Sequence, residues 1–203
     1  MTTVRRLYLA LTLLMFGASF HPVQARWTSR GPLPPHAQHV SVSTGYYDIQ
    51  GMSRADLLTQ IASRGPVWGD RRWGGVTRWW VEWRFTFEQG LTGCGIRTVT
   101  THVRISYILP RWREGNGAPD ALRQSWRRYA TALRRHEEGH GENGKRVGLR
   151  IGRAIQAMGE RPTCDALTRE ANIIGHSIIR SDTSDRDYDR ATGHGATQGA
   201  LLR

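Results

Sequence analysis

The stretch DALRQSWRRYATALRRHEEGHGEN, residues 120–143, carries the pattern that decides the fold. Its apolar residues and two histidines recur at alternating steps of four and three residues, which places them on one stripe of an amphipathic helix. The stripe consists of Leu122, Trp126, Tyr129, Leu133, His136 and His140. Pro119 and Asp120 suit the start of such a helix. The sequence therefore predicts a long helix whose core-facing stripe ends in two histidines.

The segment His136-Glu137-Glu138-Gly139-His140 has the spacing H-E-x-x-H. Side chains at positions i and i+4 of a helix project in the same direction, so two imidazoles can share one zinc ion. An acid directly after the first histidine lies where it can act as general base toward a water that zinc acidifies. The spacing predicts a catalytic zinc site with Glu137 as the base. A structural pair of buried histidines is the alternative.

The third metal ligand is marked less clearly. Arg146 stands where the metzincin pattern requires a histidine, and Asn143 stands where it requires a glycine. A gluzincin-type ligand could come from Glu170, in a helix predicted over residues 165–179. The C-terminal stretch DRDYDRATGHGATQGA, residues 185–200, offers three further candidates, which are Asp187, Asp189 and His194. If this tail folds back over the site, the phenol of Tyr188 could stabilise an oxyanion; a polar C-terminal loop is the alternative.

Two segments before the long helix alternate with the period of a β-strand. In residues 76–88 the odd positions are mostly apolar and the even positions mostly polar, so one face of this strand is buried. Residues 96–109 alternate in the same way, and the glycines around Cys94 predict a turn between the two strands. We therefore expect an antiparallel pair whose second strand ends at Pro110.

The chain before these strands contains two shorter elements. Residues 40–47 predict a short strand, and Ser53 is a suitable N-cap for a helix that runs to about Ser63. Gly65 and Pro66 then end that helix.

The N-terminus has the form of a secretory signal. Arg5 and Arg6 precede an apolar run, and Val23-Gln24-Ala25 matches a signal-peptidase site. We interpret residues 1–25 as a signal peptide, residues 26–39 as an extended lead-in and residues 40–203 as a single domain. The apolar run is shorter than the roughly 20 residues that a membrane span needs, although a membrane anchor is the alternative. The mature protein is then expected to be periplasmic or secreted.

Export affects the expectations for cysteine and charge. The only two cysteines, Cys94 and Cys164, are expected to form a disulfide in an oxidising compartment, with two buried free thiols as the alternative. The formal net charge is +12, from 29 basic and 17 acidic residues. For an exported protein this charge favours anionic envelope surfaces or acidic substrates as partners rather than nucleic acid. A solvated basic surface without a specific partner is equally consistent with it.

Several motifs together resemble a known family. They are GPVWG, a Trp-rich strand followed by a cysteine, ILPRW, HEEGH, a second cysteine and YDRATGHGATQGA. This ordered set, over about Val40 to Leu201, is similar to exported bacterial proteins catalogued as domain of unknown function 922 and commonly described as predicted zinc-dependent proteases. The resemblance singles out His136, Glu137 and His140, and in the tail Tyr188, Asp189, Thr192, His194 and Gly195. On that ground His194 is favoured over Glu170 as the third ligand.

These observations lead to one expected architecture and three expected functions. The architecture is α+β and zincin-like, with an antiparallel sheet packed on the long helix that carries the HExxH segment, followed by a C-terminal helix and tail. The expected function is zinc-dependent hydrolysis of peptide bonds in the cell envelope, with a peptide or protein as substrate. The alternatives are a zinc amidase that acts on peptidoglycan and a non-enzymatic basic module that binds an anionic envelope polymer.

Overall fold

A computed structural model describes residues 36–113 and 115–203. The predicted signal peptide and residues 26–35 of the predicted lead-in lie outside this part of the chain. The described residues belong to one compact unit. Its strands are β1 (His36–Ile49), β2 (Val67–Trp68), β3 (Arg71–Arg72), β4 (Val76–Gln89) and β5 (Cys94–Trp112). Its α-helices are α1 (Arg54–Arg64), α2 (Asp120–Gln156), α3 (Cys164–Ser181) and α4 (Ser184–Thr192). Among the described residues, no helix is both long enough and apolar enough to cross a membrane.

The sheet of three long strands is mixed, with the order β1-β5-β4. The predicted antiparallel pairing of β4 with β5 is confirmed, with Val81 opposite Val103. The prediction of an antiparallel sheet is wrong for β1, which runs parallel to β5. The chain leaves β1 beside Trp112 and enters β4 beside Ile108, so it returns at the same end of β5. This connection makes β1 antiparallel to β4 and therefore parallel to β5.

Strand β1 starts earlier than predicted, and strand β5 ends later than predicted. Strand β1 begins at His36 rather than at Val40, because His36 contacts the hydroxyl of Thr101 and Gln38 donates to the carbonyl of Lys145. Strand β5 continues past Pro110, which was predicted to end it. At that point β5 pairs only with β1, and a proline is tolerated where no neighbour needs its missing N–H.

Helix α2 packs across the inner face of the sheet. Its 37 residues begin at Asp120, as the sequence predicts, and the stripe that contains Tyr129 and Leu133 is buried. The close approach depends on a glycine, because a Cβ on Gly144 would lie 2.6 Å from Cγ of Trp79. The core between helix and sheet is formed by Val99, Val103, Ile105, Val147 and Ile151.

The remaining predicted elements agree with the structure. Ser53 caps α1 in a capping box with Asp56. Cys94 and Cys164 form a disulfide, which joins the start of β5 to the start of α3 across 70 residues of sequence. Closing a loop of that length stabilises the folded state by about 4 kcal/mol in the chain-entropy description.

The C-terminal tail is not a loop: it forms α4 and a short 3₁₀ helix, Ala196–Gln198, which both contact α2.

Candidate metal centre

Residues 136–140 lie in the middle of α2, where the helix passes beneath the C-terminal segment. The side chains of His136 and Glu137 are buried, each residue with 4% of its surface exposed. The Nε2 atoms of His136 and His140 lie 3.3 Å apart. The i, i+4 spacing therefore brings the two imidazoles to a common point, as expected for side chains on one face of a helix.

Helix α4 brings a carboxylate to the same point. Oδ1 of Asp189 lies 3.2 Å from Nε2 of His136 and 3.1 Å from Nε2 of His140. After α4 the chain turns at Gly193, which has the left-handed φ of 55° typical of a helix C-terminus. Among the described residues, His136, His140 and Asp189 form a group whose geometry would allow them to hold a metal ion together.

Hydrogen bonds to the other ring nitrogens orient both histidines. Nδ1 of His136 lies 3.0 Å from the side-chain oxygen of Gln198, and Nδ1 of His140 lies 2.9 Å from Oδ1 of Asp185. Both partners are acceptors, so each Nδ1 carries a proton, and when a ring is neutral its Nε2 presents a lone pair to the common point. Two lone pairs and a carboxylate oxygen at one point repel each other unless a proton or a metal ion lies between them.

The separations of these three atoms fit zinc. Ligand atoms about 2.0–2.1 Å from a tetrahedral zinc ion are separated from one another by about 3.3 Å. The three distances between these atoms are 3.1, 3.2 and 3.3 Å. Two imidazole nitrogens and one carboxylate oxygen are also a ligand set that zinc accepts, and they leave the fourth position free.

Asp185 accepts further hydrogen bonds besides the one from His140. Its Oδ1 also accepts a hydrogen bond from Nδ2 of Asn143 at 2.8 Å, and its Oδ2 accepts one from Nε1 of Trp79 at 2.8 Å. Burial alone would raise the pKa of Asp185, but the hydrogen bonds from His140, Asn143 and Trp79 outweigh it and hold the pKa below its ordinary value. Asp185 is therefore an ionised acceptor that orients His140.

The two histidines have opposite pKa shifts in the metal-free protein. Burial, together with repulsion from His140, lowers the pKa of His136 below its ordinary value. Burial would also lower the pKa of His140, but the hydrogen bond to Asp185 and the charges of Asp185, Asp189 and Glu137 raise it above its ordinary value. A proton on this pair therefore resides mainly on His140.

Glu137 lies beside this group and is held by the start of β4. The hydroxyl of Thr77 donates to Oε2 of Glu137 at 2.7 Å. On the other side, a Cβ on Gly75 would lie 2.8 Å from Oε1, so only glycine leaves room for the carboxylate in this position. Burial raises the pKa of Glu137 above its ordinary value, although the Thr77 hydrogen bond opposes the shift.

A pocket of about 340 Å³ opens beside these groups. His136, Glu137, His140 and Asp189 are among its polar lining residues, which also include Thr77, Asp185, Arg186 and His194. Its apolar lining residues are Trp68, Trp73, Val76, Tyr129, Leu133 and Ala200. The pocket therefore combines a proton-accepting carboxylate and a candidate metal site with an aromatic surface.

His194, predicted as the third metal ligand, lies at the edge of the pocket. Its Nδ1 is 3.4 Å from Oδ2 of Asp189, and its ring packs against Trp73 with the centroids 4.8 Å apart. Its side chain is 47% exposed. His194 thus contacts the carboxylate oxygen opposite the one that faces His136 and His140, and the structure does not bring it into their group.

Tyr188, predicted to stabilise an oxyanion, is placed behind His136. Its ring stacks on the imidazole of His136 with the centroids 5.1 Å apart, and its hydroxyl accepts a hydrogen bond from Nε2 of Gln198. The pocket lining found in the described part of the chain does not include Tyr188. Its position suits the support of His136 better than contact with a reacting group.

The other candidate ligands lie away from the group. The carboxylate of Glu170 is paired with Arg161, and that of Asp187 is paired with Arg190. Thr192 and Gly195, which the resemblance singles out, support the turn after α4. The hydroxyl of Thr192 accepts from the N–H of Gly195, and a Cβ on Gly195 would lie 3.0 Å from Cγ of His136.

Three residues that contact the site were not predicted: Thr77, Asp185 and Gln198. One signal was available for Asp185, because it precedes Asp189 by four residues, the same spacing as that of the two histidines. Residues four positions apart lie on the same face of a helix, so an acidic pair on one helix can meet a histidine pair on another. Thr77 and Gln198 show no comparable pattern, because their roles depend on how β4 and the last residues approach α2.

A comparison with known families finds a match over most of the chain. Residues 44–195 match the family described as "Bacterial protein of unknown function (DUF922)". This range covers about three quarters of the chain and includes both histidines, Glu137 and Asp189. The comparisons with curated proteins and with solved structures find no match.

Proposed function

We propose that this chain, which belongs to the DUF922 family of bacterial proteins of unknown function, is a zinc-dependent hydrolase that cleaves peptide bonds. One observation carries the proposal: three ligand atoms converge within 3.3 Å of one another beside a buried glutamate. A structural ion pair between a protonated His140 and Asp189 would not need Nε2 of His136 at the same point. The proposed ligands are His136, His140 and Asp189, so Asp189, one of the candidates in the tail, takes the position for which the family resemblance favours His194.

The chemistry is divided between the metal and Glu137. Zinc would supply a Lewis acid and lower the pKa of water to around 7. Glu137 would accept the proton from the attacking water and later deliver it to the leaving amine. Its raised pKa suits this exchange, and Thr77 holds one of its oxygens in a fixed direction. The protein atoms of the site therefore provide a base that needs little reorganisation during the reaction.

The surroundings of the site favour a peptide as the substrate. Strand β4 begins at the pocket, and among the described strands it pairs only with β5, so its other edge has free backbone groups. An extended peptide can add to such an edge through main-chain hydrogen bonds. The aromatic wall with Trp68, Trp73 and Tyr129 suits a bulky apolar side chain. A peptidoglycan amidase would use the same metal ligands and the same base, so the substrate that is cleaved distinguishes the two activities.

Metal analysis of the purified mature protein, residues 26–203, tests the site. We expect about one zinc per chain after dialysis. Asp189→Ala should lose the metal, because it removes one of three ligands, whereas His194→Ala should retain it. Loss of zinc in His194→Ala with retention in Asp189→Ala would restore the ligand set expected from the sequence. Absence of zinc from the unmodified protein, even after zinc is added back, would overturn the proposal.

Glu137→Gln separates metal binding from catalysis. The amide has the same shape but cannot accept a proton from water, so this variant should bind zinc while turnover falls by about a thousandfold or more. Retained activity would exclude Glu137 as the base.

Incubation with an unfolded protein beside purified cell wall identifies the substrate class, since a peptidase degrades the first and an amidase the second.

The export signal is part of the proposal. We propose that residues 1–25 are removed and that the enzyme acts in the periplasm or outside the cell. N-terminal sequencing of the protein recovered from the cell envelope or the medium should then begin at Arg26. An intact N-terminus in the cytoplasmic fraction would contradict this.

A further inference from the structure

Tyr129 is a buried residue whose hydroxyl group has no hydrogen-bond partner among the described residues. Only 5% of its surface is exposed. A buried phenol normally finds a partner, because its desolvation is otherwise not compensated. Within the described chain, the one fully buried polar side-chain atom without a partner belongs to Gln60, so the hydroxyl of Tyr129 still reaches open space. That space is the candidate metal pocket, whose lining includes Tyr129.

The hydroxyl of Tyr129 lies close to the proposed base, Glu137. Its oxygen is 2.5 Å from the position that a Cβ on Gly74 would take, and Oε1 of Glu137 is 2.8 Å from the corresponding position on Gly75. Adjacent Cα atoms are about 3.8 Å apart, so the phenol and the carboxylate approach neighbouring points of one short backbone segment. Both glycines also line the pocket. A group as small as a peptide carbonyl can therefore face Glu137 and Tyr129 at the same time.

Most other side-chain donors around the pocket already face an acceptor. These donors are the hydroxyl of Thr77 and the Nδ1 atoms of His136, His140 and His194. Among the described lining residues, Tyr129 and Arg186 keep a donor without a hydrogen-bond or ion-pair partner. Arg186 is exposed, whereas the ring of Tyr129 is packed in the core against Trp126. A donor that is held in place stabilises developing charge without a cost of reorganisation, which favours Tyr129.

The protonation state and the reaction fit this donor role. Burial, together with the charge of Glu137, raises the pKa of Tyr129 above its ordinary value, so the hydroxyl keeps its proton. Hydrolysis of a peptide bond places negative charge on the carbonyl oxygen of the tetrahedral intermediate. We propose that the hydroxyl of Tyr129 donates a hydrogen bond to this oxygen and that Tyr129 is thus a further catalytic residue. The proposal rests on the hydrolase function proposed above, and it gives Tyr129 the role that the sequence predicts for Tyr188.

Tyr129→Phe tests the proposal, with Tyr46→Phe as the matched control. The control also loses one phenolic hydroxyl, but Tyr46 is 47% exposed, and its oxygen accepts from Arg134 outside the pocket. Tyr129→Phe removes no hydrogen bond within the described structure, so its zinc content and thermal midpoint should not fall. A purely structural role of the hydroxyl would lower the midpoint instead.

The kinetic effect should appear in the chemical step. With a peptide substrate, kcat of Tyr129→Phe should fall by about 100- to 1,000-fold and KM should change by less than about threefold, because the oxygen carries little charge before the reaction. A peptide phosphonate, which presents charged oxygens on a tetrahedral phosphorus, should bind to this variant at least about tenfold more weakly in calorimetry. Tyr46→Phe should keep the kcat, the KM and the phosphonate affinity of the unmodified protein.

The outcomes separate this proposal from the hydrolase function. Turnover by the unmodified protein with an unchanged kcat in Tyr129→Phe would overturn the role of Tyr129 alone. A loss of kcat in Arg186→Gln but not in Tyr129→Phe would also overturn it and assign the oxygen to Arg186. No turnover by the unmodified zinc-loaded protein would overturn the hydrolase function and, with it, the role of Tyr129.

Discussion

Replacement of Asp185 by alanine tests whether the outer hydrogen bonds set the metal affinity. Asp185 does not belong to the proposed ligand set, yet its two oxygens accept hydrogen bonds from Nδ1 of His140, Nδ2 of Asn143 and Nε1 of Trp79, all at 2.8–2.9 Å. Alanine removes all three acceptor contacts at once. His140 can then rotate or move its proton to Nε2, and either change weakens its bond to a metal ion.

The expected size of the effect follows from the role of such groups. Loss of an outer carboxylate typically lowers metal affinity by about 10- to 100-fold, which corresponds to about 1.4–2.8 kcal/mol. The metal-free fold should also lose stability, because Asn143 is only 1% exposed and its amide would lack this acceptor. An unsatisfied buried donor costs about 1–3 kcal/mol.

The assay is zinc affinity measured by competition with a chelator, together with thermal unfolding of the metal-free protein. Asp187→Ala is the matched control, because Asp187 lies on the same helix but pairs with Arg190 on the surface. The control should keep the zinc affinity of the unmodified protein. If Asp185→Ala also keeps it while the fold is intact, the hydrogen bond to His140 does not set the metal affinity and the reasoning is refuted.

Three further predictions concern the helix, the disulfide and pH. Gly139→Ala should lower the thermal midpoint and the zinc affinity, although alanine favours helices. The reason is that the new Cβ would lie 2.1 Å from the hydroxyl of Tyr188. Unchanged values would show that the phenol moves freely. A Cys94→Ala/Cys164→Ala variant should lose about 2–4 kcal/mol of unfolding free energy in denaturant titrations. It should keep its zinc content, and zinc loss in a folded variant would contradict this. Zinc affinity should rise with pH through the range in which histidine titrates, because a proton on His140 competes with the metal ion. The pKa of His140 is raised above its ordinary value of 6.5 in the metal-free protein. An affinity that stays flat from about pH 5.5 to 8 would count against both histidines as ligands.

The parts of the fold that the sequence predicts are those with a periodic apolar face. Helix α2 was predicted from its stripe and β4 from its alternation, because each buries one face against the other. The parallel position of β1 has no such local signal. Its side of the sheet is poorly covered, with Val42 56% exposed, so the pattern of β1 alone does not specify its partner or direction.

Helix α4 shows why the site was only partly predicted. Its sequence SDRDYDRAT contains almost no apolar residue, so neither periodicity nor composition indicates a packed helix. It is held instead by polar contacts to α2, mainly from Asp185 and Asp189 to the two histidines. A helix anchored by functional side chains lacks the apolar signal from which helices are predicted. The same fact explains why His194 and Asp189 could not be distinguished before their elements were placed.

The facing pairs on α2 and α4 suggest how stability and metal binding are connected. His136 and His140 meet Asp185 and Asp189, so the contacts that hold α4 on α2 are largely the contacts that form the proposed metal site. Without a metal ion, only the proton held mainly by His140 bridges the two imidazoles and the carboxylate at this junction, and α4 has little apolar area with which to compensate. A ligand that binds only the folded state stabilises it in proportion to its affinity and concentration. Zinc should therefore protect the amides of α4 from hydrogen exchange far more than those of α3, which packs through Leu167 and Ala171. Equal protection of both helices would show that α4 docks independently of the metal.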